Sequence, residues 1–442
     1  GSKVKTAADF SGSSRKAGSA LVAGTIMGTL VGGASTVGTA QLAFEYGLCA
    51  WWFTLGAGIG CLILGLAMLK PLYNSNQETI PQFLVQAYGP SIGPISSTFT
   101  SIGMFLNLIG QGIAAAALLT TVSGINTNTA VIIGIILVMG YVLAGGVQGT
   151  GMVGVVKLLL LYAATIITGG LAFYMFNGTS GISAAFPVKF PWFSLLGRGA
   201  STDLAAGFSL IIGVLSTQTY IQAVLSGKNV AASRKGALLS ALLIPPIGIG
   251  GILAGLYMRA NIASFPGLES SAVLPVFILH YLPPVAAGII IATLLIAVIG
   301  TWAGLSLGIS TLLTRDIYKR FINKKADSKR TLLVQRGMII VLCLLAYYSV
   351  TSSTGSLILN FSFLSMGLRG CSVIFPLLGA IFFKRYVSPV AGIASAILGP
   401  LTVFIWHFIY PEGIDPLFPG LIVSFLALVV FSVITRTRAD IR

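Results

Sequence analysis

The run Gly28-Thr-Leu-Val-Gly-Gly-Ala-Ser-Thr-Val-Gly38 lies inside the first long apolar stretch of the chain. Glycines packed this densely weaken a helix and permit an unwound turn, whose freed carbonyls and amides can hold an ion or a solute. Close packing of helices through small residues explains such a run equally well when it stands alone. It has a counterpart. A later apolar stretch carries Gly213 and the cluster Ser216-Thr-Gln-Thr219 at its middle. Two apolar segments interrupted in this way decide the fold class, provided that they occupy matching places in the chain.

Around these runs the composition is that of a polytopic membrane protein. Of 442 residues, 55% are hydrophobic and 8% charged, where a soluble domain carries roughly 25% charged residues. Mean hydropathy is +0.95. Stretches long enough to cross about 30 Å of hydrocarbon recur along the chain. They are read as twelve helical spans at 18–44, 49–69, 92–123, 127–147, 152–176, 204–226, 235–258, 284–313, 337–353, 357–383, 387–409 and 418–435. The apolar stretch 272–282 is too short to span and is read as a helix lying in a loop. The interrupted spans are the first and the sixth. Five spans is an odd number, so a second copy of a five-helix unit sits inverted in the bilayer, and interrupted helices at matching positions of inverted halves mark a transporter site near the midplane. The expected organisation is therefore a segment 1–17, a first repeat 18–176, a loop 177–203, a second repeat 204–383 and a peripheral pair of helices with the C-terminus at 384–442.

The net charge of +16 comes from 26 Lys and Arg against 10 Asp and Glu. Sorted into alternate loops, 21 of the cations fall on one side, eight of them between Arg315 and Arg336, and three (Lys189, Arg198 and Arg259) on the other. That asymmetry places both termini in the cytoplasm of a plasma, or inner, membrane. It also accounts for the charge without a nucleic-acid partner, which would need a single basic face; the lipid bilayer and a small-molecule solute are the expected partners. The polar stretch from Gly1 to Lys16 has no cleavable-signal pattern. Cys49, Cys61, Cys343 and Cys371 lack metal-ligand spacing, and His280 and His407 have no acidic partner in helical register, so neither a metal centre nor an enzyme site is read here.

Several polar residues fall at membrane depth. Asn107 and Gln111 share one helix face, and Asn360, Ser362, Ser365 and Arg369 lie in the tenth span. For an Asn or Ser, interhelical hydrogen bonding is an alternative to a binding role. Lys157 and Arg369 are harder to place, because all ten acids map to loops or helix ends. An unpaired cation in a membrane is costly and is a functional hypothesis by default. A buried lysine can shed its proton, whereas an arginine keeps its charge. For Arg369, capping of carbonyls at a broken helix is the structural alternative.

The stretch from Gly32 through Gln41 to Gly47, the loop Thr79-Ile-Pro-Gln-Phe-Leu84 with Tyr88-Gly89, the sequence Gln222-Ala-Val-Leu-Ser-Gly-Lys-Asn229 and the sequence Ser310-Thr-Leu-Leu-Thr-Arg-Asp-Ile-Tyr-Lys319 together resemble the sodium:solute symporter family. The resemblance runs in order from residue 20 to about 385. It implies an all-α fold of the leucine-transporter type, with a five-plus-five inverted-repeat core, discontinuous helices 1 and 6 and two extra C-terminal helices. It also implies one further helix ahead of the first core helix, which this chain does not include. The family's sodium site, between the broken first helix and the eighth, corresponds to Gly28, Val31, Ala297, Gly300 and Thr301. Where the family has two adjacent hydroxyl residues, this chain has Gly300-Thr301, one oxygen ligand fewer for a hard cation. Where the family often has a Thr-Asp pair in the fifth helix, followed by Gln, this chain has Val153-Gly154 and then Lys157. Proton-coupled transporters of the same fold carry a fifth-helix lysine whose ammonium stands in for sodium.

The reading is a secondary active, alternating-access symporter for a small polar or anionic organic solute. The coupling ion is Na+ by resemblance, with H+ coupling or Na+-independent transport suggested by Lys157. No organic cofactor is expected. The solute candidates are Gly32, Gly33, Ser35, Asn107, Gln111, Thr217, Gln218, Ser365 and Arg369. A transporter-like sensor or a channel without coupled transport remains the alternative, although no span carries a polar stripe along its length.

Overall fold

The computed structural model describes residues 15–440 apart from 78, 187–189, 354, 411 and 412, and describes the backbone alone at 143–155 and 436–440. The described chain is helical, and among the described residues no strand forms. The first apolar stretch breaks where the glycines predict: helix α1 (Ser19–Leu30) ends, Val31 is extended, and a wide π-helical turn (Ala34–Gly38) leads into α2 (Thr39–Tyr46). Gly47, at φ 76°, turns the chain into α3 (Trp52–Ile63), which continues through a second π-helical turn into α4 (Leu69–Asn74). Helix α5 (Ile80–Tyr88) is capped by the Thr79 side chain, with Pro81 near its start, a position where the missing N–H costs nothing. The long helix α6 (Ile92–Ser123) follows.

Helix α7 (Thr127–Met175), capped by Asn126, contains both apolar stretches read as the fourth and fifth spans. The boundary expected between them, with Val153 and Gly154, lies outside the residues described with side chains. After the short α8 (Gly178–Ala185), α9 (Ala200–Ser216) and α10 (Gln218–Leu225) form the second interrupted element, bent by 48° at Thr217. The remaining helices are α11 (Val230–Ala260), α12 (Val273–Tyr281), α13 (Pro284–Leu312), α14 (Ser328–Thr351), α15 (Ile358–Phe382), α16 (Pro389–Ile409) and α17 (Leu417–Asp440). Among the described residues nine helical stretches are long and apolar enough to cross a membrane, ten with the bent pair. Of the twelve expected, the first is cut short by its break, and the fourth is described with side chains only over Thr127–Val142, within the continuous helix α7.

The broken helices lie at the centre. Helix α1 packs against α7 and α11, α6 against α13 and α15, and α9 against α3 and α15, while α16 and α17 pair at the periphery. Small residues allow the close crossings: a Cβ at Gly251 of α11 would lie 3.1 Å from the Thr36 carbonyl, and one at Gly169 of α7 would lie 2.6 Å from Cα of Gly250. Backbones this close gain dispersion contacts without side-chain entropy, which suits a lipid solvent that offers no hydrophobic drive between helices. The side chains of α14 and α16 are largely turned outward (Leu344 67%, Phe408 79% exposed), as bilayer-facing surface requires. All four cysteines are buried and free.

Candidate functional site

The break in α1 has a specific consequence for its carbonyls. The Gly32 amide, which would have closed the helical bond to Gly28, instead donates to the Ser35 hydroxyl at 2.9 Å. The Gly28 carbonyl is thereby released to a partner from another helix, and that partner is Lys157. Its Nζ donates to the Gly28 carbonyl at 2.7 Å, to the Ala297 carbonyl of α13 at 2.8 Å and to the Thr301 hydroxyl at 3.1 Å. Thr301 passes its own proton to the Val31 carbonyl at 3.2 Å. An ammonium has three protons, and all three are used. Lys157 is 2% exposed, and among the described residues no carboxylate comes within ion-pair distance of it. Gly300 leaves the approach open, since a Cβ there would already stand 3.6 Å from Nζ. Gly28, Val31, Ala297, Gly300, Thr301 and Lys157 therefore form one cluster.

A second cluster follows the face shared by α6 and α15. The Gly33 amide donates to Gln111 Oε1 at 2.8 Å, Gln111 Nε2 donates to Asn107 Oδ1 at 3.4 Å, and Ser362 donates to the same Asn107 oxygen at 3.0 Å. One turn further along, Ser365 donates to the Gly103 carbonyl. Gly32 stands against Thr301, so this cluster abuts the Lys157 site. Ser35 stays within the broken turn, bonding the Gly32 amide and carbonyl.

Arg369 is fully buried yet well provided with acceptors. Its Nε donates to the Ser365 carbonyl at 3.0 Å, Nη2 to the Ser365 hydroxyl at 2.8 Å and to Met366 Sδ at 3.0 Å, and Nη1 to Thr217 at 2.9 Å. Thr217 is the residue at the bend between α9 and α10 and also bonds the Gly213 carbonyl. The guanidinium thus ties α15 to the break in α9–α10. Gln218 turns away from this group: its Oε1 accepts from the Ile80 amide at 3.1 Å, at the start of α5. Ser362 was visible in the sequence but not counted with the solute candidates; its spacing from Ser365 and Arg369 along one helical face was the available signal. Trp302 packs towards Gly112 and Gly134.

Two acids noted as loop or helix-end residues are buried. Asp203, in the first turn of α9, pairs with Arg198 at 2.7 Å, and Asp316 accepts from Ser97 at 2.9 Å. His280 is exposed against Phe265 and Tyr281, and no group of three metal-ligating side chains forms among the described residues.

Comparison with known proteins gives a consistent picture. The model of the sodium:solute symporter family matches residues 10–399. A sodium/proline symporter of Haemophilus influenzae is 23% identical over 96% of this chain and 88% of its own. A urea-proton symporter of Oryza sativa subsp. japonica is 20% identical over 90% of this chain and 60% of its own. In structure the chain is similar to a Na+-coupled sialic acid symporter in a substrate-bound, outward-open state, with a TM-score of 0.77 at 18% identity, covering 98% of this chain and 93% of that one. The fold is thus the leucine-transporter type of these symporters. With its broken helices and a family model that matches residues 10–399, the chain belongs to the sodium:solute symporter family.

Proposed function

We propose that this family member is an alternating-access transporter of a small polar or anionic organic solute, in which the Lys157 ammonium takes the part of a coupling sodium. The observation that carries the reading is the threefold coordination of Lys157 Nζ by Gly28, Ala297 and Thr301. A hard cation at the same point would need those same oxygens, and the ammonium already uses them. Charged, the lysine bridges α1 to α13; neutral, it donates fewer and weaker bonds and frees the bridge. Protonation is then linked to the relation of the first helix to the eighth-span helix, which is what proton coupling requires. That a relative is named a urea-proton symporter accords with proton coupling within this family.

The solute region is the cluster around Gly32, Gly33, Asn107, Gln111, Ser365, Arg369 and Thr217. Among the described residues its charge is that of Arg369 and no carboxylate faces it, which favours neutral and anionic solutes. A thermal-shift screen of small carboxylates, amides and amino acids identifies the solute; uptake into proteoliposomes then tests coupling. The expected result is accumulation driven by an inward proton gradient with choline in place of sodium, and loss of that drive in Lys157→Gln. Uptake that is strictly sodium-dependent in the wild type and unchanged in Lys157→Gln overturns the reading.

A further inference from the structure

Helix α1 begins, and helix α10 ends, at the face that carries Lys70, Lys228, Arg234 and Lys235, and the two helices pack against each other. There the residues ahead of α1 run beside those after α10. The Ala17 amide donates to the Ser226 carbonyl at 3.0 Å, and the Lys228 amide donates to the Ala17 carbonyl at 2.9 Å, which makes a parallel bridge of Ala17 with Gly227. The Gly227 carbonyl, between those two bonds, accepts from the Tyr73 hydroxyl at 2.8 Å. Tyr73 lies in α4, so three segments distant in sequence are joined at one point.

Arg15 closes this junction. Its Nη2 donates to the Tyr73 carbonyl at 3.0 Å, its Nη1 donates to Asn76 Oδ1 at 2.9 Å, and the guanidinium lies 4.5 Å from the centre of the Tyr73 ring. A planar fork suits this double donation and the stacking, whereas an ammonium meets only part of it. Arg15 and Asn76 both have left-handed backbones, at φ 42° and 57°. Asparagine takes that conformation readily and arginine does not. A strained residue persists only where its surroundings hold it. On the other side of Ala17, Gly18 is exposed, and nothing lies within 4 Å of a Cβ there. Helix α1 also starts without a side-chain cap. The lead into α1 is therefore fixed by the Ala17 pairing and by the contacts of Arg15 and Tyr73.

The other end of α1 carries Gly28, the acceptor of Lys157, and Thr29, which packs so closely on α13 that a Cβ at Gly304 would stand 2.8 Å from its Cγ2. We infer that Arg15 and Tyr73 are positioning residues for transport: they form a clasp that seats α1 against α10, and that end of the molecule opens only when the clasp parts. The inference rests on the alternating-access reading and is independent of the part given to Lys157. It is tested on the full chain in detergent micelles carrying Thr29→Cys, a buried position that a maleimide reaches only when α1 moves away from α13. Labelling should be slow in the otherwise unaltered chain. It should be about tenfold faster in Arg15→Ala, as loss of hydrogen bonds to a charged group predicts, and about threefold faster in Tyr73→Phe, which keeps the ring and loses a neutral bond. Arg15→Lys should fall between the unaltered chain and Arg15→Ala. Lys228→Ala removes a neighbouring cation but keeps the backbone bond, and should label at the unaltered rate. Without Thr29→Cys no variant should label, because the four native cysteines are buried. Labelling indifferent to both Arg15→Ala and Tyr73→Phe overturns the inference. So does an equal rise in Lys228→Ala, or labelling of the native cysteines in Arg15→Ala, which means general loosening. Uptake into proteoliposomes reports on the alternating-access reading by itself: clasp-dependent labelling without uptake overturns that reading and supports the clasp as the seat of α1, and uptake with clasp-independent labelling overturns the clasp alone.

Discussion

At the scale of single residues, the balance at Lys157 decides the outcome of its removal. Each hydrogen bond to a charged group contributes about 1.5–3 kcal/mol, whereas holding an ion away from water costs several kcal/mol. These terms largely cancel, so Lys157→Ala is expected to lower stability by only about 1–3 kcal/mol, the cost of bare acceptors. The informative readout is therefore ionic. In Lys157→Ala the oxygens of Gly28, Ala297 and Thr301 become free for a small cation, and added sodium should raise the melting temperature. The wild type, measured in parallel with choline chloride as the control, should show no sodium effect. A second test concerns Arg369. Its planar fork serves Thr217 and Ser365 at once, a geometry that an ammonium cannot reproduce. Arg369→Lys should keep the charge yet lose uptake, with KM and kcat both altered in transport assays.

At the scale of elements, the broken helix depends on the absence of Cβ atoms. A Cβ at Gly33 would meet Ala114 and stand 3.1 Å from Val298 Cγ2; one at Gly32 would collide with Thr301 and stand 2.8 Å from Gln111 Oε1. Overpacking of this kind costs about 1–3 kcal/mol. Gly33→Ala should lower the melting temperature accordingly, and it should weaken solute binding beyond that loss, because the Gly33 amide donates to Gln111. Gly18→Ala is the control, as nothing lies within 4 Å of a Cβ there. The break itself was readable from glycine density alone. The π-helical turn at Ala34–Gly38 was not, because no residue in that run announces a widened turn; it packs against α11, where Gly251 admits the Thr36 carbonyl.

At the scale of the whole molecule, the cation asymmetry predicts orientation. Cysteine placed at Lys325, in the segment between α13 and α14, should react with a membrane-impermeant maleimide only after cells are opened. The four native cysteines are buried, so background labelling should be low. Labelling of intact cells at Lys325→Cys would reverse the assigned topology. The same scale shows what hydropathy misses. Span counting from sequence resolves twelve stretches, but it cannot show that α1 stops at Leu30 or that the fourth and fifth stretches share the one helix Thr127–Met175, since hydropathy averages over a window and is insensitive to backbone geometry.

What the sequence determined alone was the class of molecule, the places where helices break and the pair of cations that composition could not explain. Each is local: glycine freedom, apolar run length and the absence of nearby acids are properties of short stretches. Tertiary structure decided the partnerships. Lys157 lies 129 residues from Gly28 and 140 from Ala297, and Thr217 is 152 residues from Arg369. Gln218, polar and at a helix break like Thr217, points to α5 instead. Hydrogen bonds between distant residues are selected by which arrangement leaves the fewest buried polar groups unpaired, a condition imposed by the packed helices together and written in no single segment.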